Sequence, residues 1–289
     1  MRLTGIQREQ TFSPAQHAEN DRLILELTAD VLRRQGCDVD LISEEQVGEV
    51  VIDAPVVFSM CQGPRATREL LDLEQQGTLI VNSPRAVQNC YRVALSRLQH
   101  RHQGILAPMT VISTRPASPV PMEVGRSYWI KRGDVHATQE GDVVRVDSPT
   151  QGLEVLSDLH GRGVQHAVVQ PHLDGTVVKF YGVVGAPFFR HYSERDHKVA
   201  PITFRLAHPA IERLVSEMGL TVYGGDAVMA PDGTISVIDI NDWPSFAYFR
   251  DEAASVIADR ILQVAVAHVY GAEKRVAGTT GSVGGWLRR

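Results

Sequence analysis

The sequence predicts a mixed fold: an N-terminal α/β lobe built as a Rossmann-like layer, followed by a part of different texture. Three observations carry this. Short apolar runs alternate with helical patterns through the first third of the chain, which is how a parallel sheet covered by helices reads. Past Asn82 the texture changes to short strands, a Pro-rich connection and one strong hairpin signal. A length of 289 residues, 43% apolar and 22% charged, is ample for two or three lobes with real cores.

Taken in order, Arg2–Ile6 reads as a strand, and Ser13-Pro14 as an N-cap with proline at the first helical position. The helix that follows carries Leu23, Leu25, Leu27, Val31 and Leu32 and stops near Gly36. Asp38–Ile42, Val56–Met60 and Leu79–Val81 are further strands, with a helix over Ala66–Gln76. No Gly-x-Gly-x-x-Gly follows the first strand, so this lobe lacks a dinucleotide fingerprint. Pro84–His102 reads as one long helix, and Pro108, Pro116, Pro119 and Pro121 mark a connection. Strands at Tyr128–Lys131, Val143–Val146 and Ala167–Gln170 surround a helix at Thr150–Arg162. Strands at Val177–Val184 and Pro187–His191, a helix at Pro209–Met218, a hairpin at Thr221–Ile240 and a helix over about Asp251–Tyr270 complete the chain, with a frayed tail after Gly271. The expected division is 1–83, 84–172 and 173–289.

Composition excludes several classes. The 29 basic and 34 acidic side chains give −5, which predicts no electrostatic grip on nucleic acid or an anionic membrane. Three distant cysteines, Cys37, Cys61 and Cys90, fit neither a disulfide framework nor a structural zinc. No signal peptide is evident and no apolar run approaches about 20 residues, so a cytoplasmic protein is expected.

The most informative stretch is Tyr223–Asn241. Asp232-Gly233 between two apolar runs is a two-residue hairpin signal. With that turn Pro231 faces Thr234, and Asp226 lies opposite Asp239, with Asn241 on the same face as Asp239. Directly opposed like charges are destabilising, so the geometry asks for a cation. Two carboxylates and an amide suit Mg²⁺ bridging to phosphates. A solvated polar face with a bulged register is the equally weighted alternative.

Phosphate candidates are weaker one by one. Lys131 ends an apolar strand ahead of the loop Gly133–Gly141, which contains His136. Ala167–Leu173 is an apolar strand running into Pro171, with a backbone able to meet an adenine edge. Lys179 sits within a strand and needs an anionic partner if buried. Arg190-His191-Tyr192-Ser-Glu-Arg195-Asp-His-Lys198 is a basic cluster, most simply a solvated loop.

In this order, these elements resemble the ATP-grasp superfamily over about Arg2–Tyr270. The matching pieces are Asn82–Arg92, Ile105–Pro108, the strand ending in Lys131, Val-Val-Gln170, Gly225-Asp226 and Ile238-Asp239-Ile-Asn241-Asp-Trp-Pro244. The look is most like the ribosomal-protein glutamate ligase type, and Asp-Ile-Asn is also similar to ATP-grasp inositol polyphosphate kinases. The resemblance implies an ATP-grasp fold with an N-terminal Rossmann-like pre-ATP-grasp domain followed by two α+β lobes, and ATP and Mg²⁺ as cofactors. It implies metal binding by Asp226, Asp239 and Asn241, and phosphate contacts from Lys131. It places Arg92, where many relatives carry lysine, and His136 at the nucleotide. Gln170, Pro171, His172 and Leu173 would line the adenine pocket, and Lys179 and Arg190 would meet phosphates or the acceptor. Three departures stand out: Arg92 itself, a loop with only Gly133 and Gly141, and Asp242-Trp-Pro-Ser-Phe246 where ligases often place a Pro-Gly turn.

The expected activity is a carboxylate–amine ligase working through an acyl phosphate with ADP release. A small-molecule or peptide carboxylate and an amine-type acceptor would be its partners. A kinase for a hydroxyl of an anionic substrate, and a nucleotide binder without catalysis, remain open. So does the oligomeric state, a homo-oligomer included.

Overall fold

The computed structural model describes residues 1–13, 15–116, 118–193 and 202–280. Pro14, and Glu194 to Lys198 of the basic cluster, lie outside the described residues. β1 (Arg2–Gln7), α1 (Ala15–Arg34), β2 (Asp38–Ser43), β3 (Val56–Ser59), α2 (Pro64–Gln75) and β4 (Leu79–Val81) build the expected first layer. All its strands are parallel, in the order β2-β1-β3-β4. Ile24, Leu25, Ala29 and Leu32 recur at helical spacing and bury α1 against one face with Leu3, Val56 and Phe58. On the other face Ala66 and Leu70 of α2 pack on Ile6, Val57 and Ile80.

The long helix expected over Pro84–His102 is two short ones, α3 (Pro84–Asn89) and α4 (Arg92–Ser96), followed by turns. Tertiary structure breaks it: the Val93 N–H donates to the Gly133 carbonyl at 3.1 Å instead of a helical carbonyl, and Tyr91 is extended. The Pro-rich connection contains a strand that sequence reading missed, β5 (Thr110–Ser113). With β6 (Tyr128–Arg132), β7 (Val143–Val146) and β8 (His166–Pro171) it forms an antiparallel sheet ordered β5-β8-β6-β7. α5 (Pro149–Gly161) buries Leu156 and Leu159 against Ile130 and Val169 of that sheet.

The third sheet is also antiparallel, ordered β10-β9-β11-β12: β9 (Thr176–Val183), β10 (Phe188–Ser193), β11 (Val222–Met229) and β12 (Ile235–Asp242). Between its strands come α6 (Ile202–Leu206) and α7 (His208–Glu217), whose Ile211, Leu214 and Val215 pack on Phe180, Val237 and Ile240. The free edge of β12 is covered by residues 105–107: Ala107 N donates to Val237 O at 2.8 Å and Val237 N to Ile105 O at 2.7 Å.

The last helix, α8 (Arg250–Thr280), extends ten residues beyond Tyr270, where sequence reading ended it. By length and a mean hydropathy of 1.2, Arg250–Tyr270 is apolar enough to match a membrane span, a stretch the sequence reading passed over. Its apolar side is already in use: Ala253, Ala254, Ile257, Ala258 and Ile261 share the core of α1 and the parallel sheet. Asn82 ties the parallel lobe to the third sheet, accepting from Thr221 N and Val222 N at 2.8 and 2.9 Å and donating to Val222 O at 2.7 Å.

Candidate active site

A cavity of about 950 Å³ opens between the two antiparallel sheets and the parallel lobe. Its floor is the β11–β12 hairpin. Asp226 and Asp239 are register partners, as the sequence predicts, but the two-residue turn assumed for them is wrong. Ala230 pairs with Thr234 around a three-residue loop, with Gly233 at φ +86° where an L side chain is strained. That loop alone would set Asp226 opposite Ile238. A register shift between Asp226 and Ala227 leaves Ile238 as the extra residue of a bulge and returns Asp239 to its place. Two departures from the simple hairpin therefore cancel.

The bulge has a chemical use. Lys131, the penultimate residue of β6, donates from Nζ to the freed carbonyl of Ile238 at 3.1 Å. Its ammonium is buried, and burial pushes its pKa down to about 8, Asp239 and Asp226 opposing and Arg92 assisting. Asp239 is held at 2.5 Å by Nη2 of Arg92, which also donates from Nη1 to Arg132 O. Burial would raise the Asp239 carboxyl, but Arg92 and Lys131 outweigh it and hold it below the ordinary carboxylate range. Lys179 stands opposite Asp226 on β9 and donates to it at 3.0 Å. Both opposed carboxylates thus have a cationic partner, which answers the repulsion their register creates.

Asp226, Asp239 and the half-buried Asn241 all line the cavity and offer hard oxygen donors, a set that suits Mg²⁺. Gln170, Pro171, His172 and Leu173 line it at and just past the end of β8. Trp129 donates from Nε1 to His172 Nδ1 at 3.1 Å, which leaves the His172 proton on Nε2. The indole, Val143, Val177 and Ile238 are apolar parts of the same lining.

His136 also lines the cavity, and it is fastened as well: Nε2 lies 3.0 Å from Asp242 Oδ1. The base of its loop is pinned by Asp142, which accepts from Thr138 N, Gln139 N and Arg162 Nη1. A Cβ on Gly133 would meet His166 O at 2.8 Å, and Gly141 has φ +87°. The two glycines therefore shape the ends of this loop.

Arg190 is the sequence candidate that the geometry moves. It pairs with Glu252 of α8, lies over the Phe188 ring at 4.9 Å, and is not among the residues lining the cavity. Its strand position opposite Tyr181 leaves it beyond Tyr192, toward the α8 N-terminus. His191 packs on Phe204 at 5.0 Å, and burial pushes its pKa down. The described members of the basic cluster therefore do not converge on one anion.

Sequence reading missed the residues brought from afar. Arg8 of the parallel lobe donates to Asp21 at 2.8 Å, to Met60 O at 3.1 Å and to Trp243 O at 3.2 Å. Gln62 donates to Asp242 Oδ1 at 2.9 Å. Tyr181 and Tyr192, stacked at 6.1 Å, form part of the wall near Lys179. Of these, Asp242 left a trace in the sequence, within Ile-Asn241-Asp242-Trp-Pro244, and Tyr192 as a member of the basic cluster.

No family model and no curated protein matches the chain in sequence. Solved structures do match. A D-alanine-D-alanine ligase from Coxiella burnetii, 13% identical, superposes with a TM-score of 0.72 over 98% of this chain and 100% of its own. A D-alanine–D-alanine ligase from Bacillus anthracis complexed with ATP is 14% identical, with a TM-score of 0.70 over 92% of this chain and 97% of its own. A RimK domain ATP-grasp protein from Sphaerobacter thermophilus is 16% identical, with a TM-score of 0.68 over 91% of this chain and 100% of its own. The chain has the ATP-grasp fold.

Proposed function

We propose that this protein is an ATP- and Mg²⁺-dependent carboxylate–amine ligase. The observation that carries the proposal is the hairpin floor, where Asp226, Asp239 and Asn241 share a cavity with the buried Lys131, Trp129 and residues 170–173. The ATP-grasp ligases among the solved structures of like fold support the reaction class.

In this reading Trp129, Val143 and Ile238 would receive the adenine base, and the backbone at residues 170–173 would meet its edge. Lys131 neutralises phosphate oxygens from within a low-dielectric wall, where a point charge is worth more than in water. Asp226, Asp239 and Asn241 would hold Mg²⁺, which would supply charge neutralisation for the transferring phosphoryl group. Arg92 and Lys131 keep Asp239 ionised until then, and Lys179 holds Asp226. A substrate carboxylate oxygen takes the γ-phosphoryl group, giving an acyl phosphate and ADP. The amine nitrogen then attacks the acyl carbon and inorganic phosphate leaves. The chain supplies position and charge, and no protein nucleophile is required.

Incubation with Mg-ATP, hydroxylamine and pools of carboxylates tests this. Hydroxamate formed in step with ADP supports the ligase. A phosphate ester in a parallel polyol and inositol-phosphate arm, without hydroxamate, replaces it with the kinase.

A further inference from the structure

Beside the cavity, and apart from the oxygen ligands of the hairpin, a cysteine, a histidine and a carboxylate come together. Cys90 closes α3, His136 belongs to the loop of residues 133–141, and Asp242 ends β12. One ligand atom from each lies within 4.8 Å of the other two, and all three residues are buried. We propose that Cys90, His136 and Asp242 form a site for one thiophilic divalent cation such as Zn²⁺.

Three features of the chemistry support it. The donor set is sulfur, imidazole nitrogen and carboxylate oxygen, which favours zinc over magnesium. Asp242 is 1% exposed, yet its Oδ2 accepts no hydrogen bond; Oδ1 takes that of Gln62 and lies 3.0 Å from His136 Nε2. A buried carboxylate oxygen left this way is costly unless something binds it. The nearest cation, Arg8, stands 4.0 Å from Oδ2 and is itself neutralised by Asp21 at 2.8 Å.

The reach is also right. An ion central to three atoms at most 4.8 Å apart lies within about 2.8 Å of each, against zinc–ligand lengths of about 2.0–2.3 Å. Small side-chain adjustments close that gap. Binding removes the Cys90 thiol proton to solvent, so one proton is released per ion. The bound ion ties α3, the loop and β12 together. Three protein ligands leave a fourth position on the side where His136 and Asp242 line the cavity. This proposal does not rest on the ligase reading.

Titration of the reduced full chain with Co²⁺, without nucleotide, tests it. The expected result is a thiolate-to-cobalt charge-transfer absorption that saturates at one equivalent and is reversed by Zn²⁺. It should persist in Cys37→Ser and vanish in both Cys90→Ser and Cys90→Ala. Zn²⁺ should also raise the melting temperature of the wild type and leave that of Cys90→Ser unmoved. Zn²⁺ affinity should fall in Cys90→Ser by more than the roughly 10–100-fold that loss of an outer partner costs. A wild type without the band at saturating Co²⁺, or a band unchanged in both Cys90 variants, would overturn the site.

Discussion

Around Asp239 three cations, Arg92, Lys131 and Lys179, face two carboxylates, Asp239 and Asp226. Around Asp242 the balance runs the other way: Asp242 and Asp21 share Arg8, with bonds from Gln62 and Ser13 and His136 Nε2 3.0 Å from Asp242. Arg92, Lys131, Asp239 and Asp242 are buried, Lys179 and Asp226 are half-buried, and both groups touch the same cavity. The first carries an excess of positive charge and a lysine whose proton is held weakly, the state that suits an arriving anion. The second is knit by bonds between the parallel lobe, the loop and the hairpin, and its work is to hold them. Buried charge alone does not mark a reactive centre; the balance of partners separates an electrostatic receptor from a fastening.

Substitutions in the first group separate chemistry from folding most sharply. Asp239→Asn should lower turnover by at least about 100-fold. It should also destabilise the fold by about 3–5 kcal/mol, because Arg92 and Lys131 lose their buried counter-charge. Denaturant melts and ADP release read the two effects. Asn241→Ala should cost a similar turnover with a stability change within about 1 kcal/mol, since the residue is half-buried and bears no charge. Equal stability losses in the two variants would erase the distinction drawn here.

In the second group, Arg8→Ala should cost about 3–5 kcal/mol in urea denaturation by leaving Asp21 unpaired. Mg-ATP affinity of the folded fraction should stay within a few-fold of wild type. A selective loss of affinity without loss of stability would move Arg8 into the receptor.

Lys131 gives a pH test with two opposite signs. Its folded pKa, about 8, lies below its ordinary 10.5, so between these values the unfolded chain binds more protons. The stability of the nucleotide-free protein should therefore gain from Lys131 as pH rises from 8 to 10.5, and Lys131→Met should lack that gain. Thermal melts of the two proteins across this window check it. The smallest effect belongs to the turn: Gly233→Ala, at φ +86°, should cost about 1 kcal/mol in a thermal melt.

Local chemistry made much of this legible in the sequence. The alternation of strands and helices before Asn82 gave the parallel layer, and the Asp232-Gly233 signal located the hairpin. The pairing of Asp226 with Asp239 was reached through an incorrect turn, rescued by a bulge at Ile238 that leaves no local trace. The helix over Pro84–His102 failed because its break is imposed by Gly133, forty residues ahead of Val93. Arg8 and Gln62 could not be read for the same reason: Trp243 and Asp242, which they meet, lie on another lobe, and no spacing announces them. Arg190 had the right residue type, but Glu252 and the turn of β10 take it elsewhere.

The measurement that bears most directly on the electrostatic receptor is calorimetric titration of Mg-ATP into wild type and Lys131→Met from below to above pH 8. Wild-type affinity should be highest below pH 8 and weaken as the Lys131 proton is lost, while the variant binds weakly with a flat profile. Equal affinities for the two proteins at every pH would contradict the assignment of Lys131 to the phosphates.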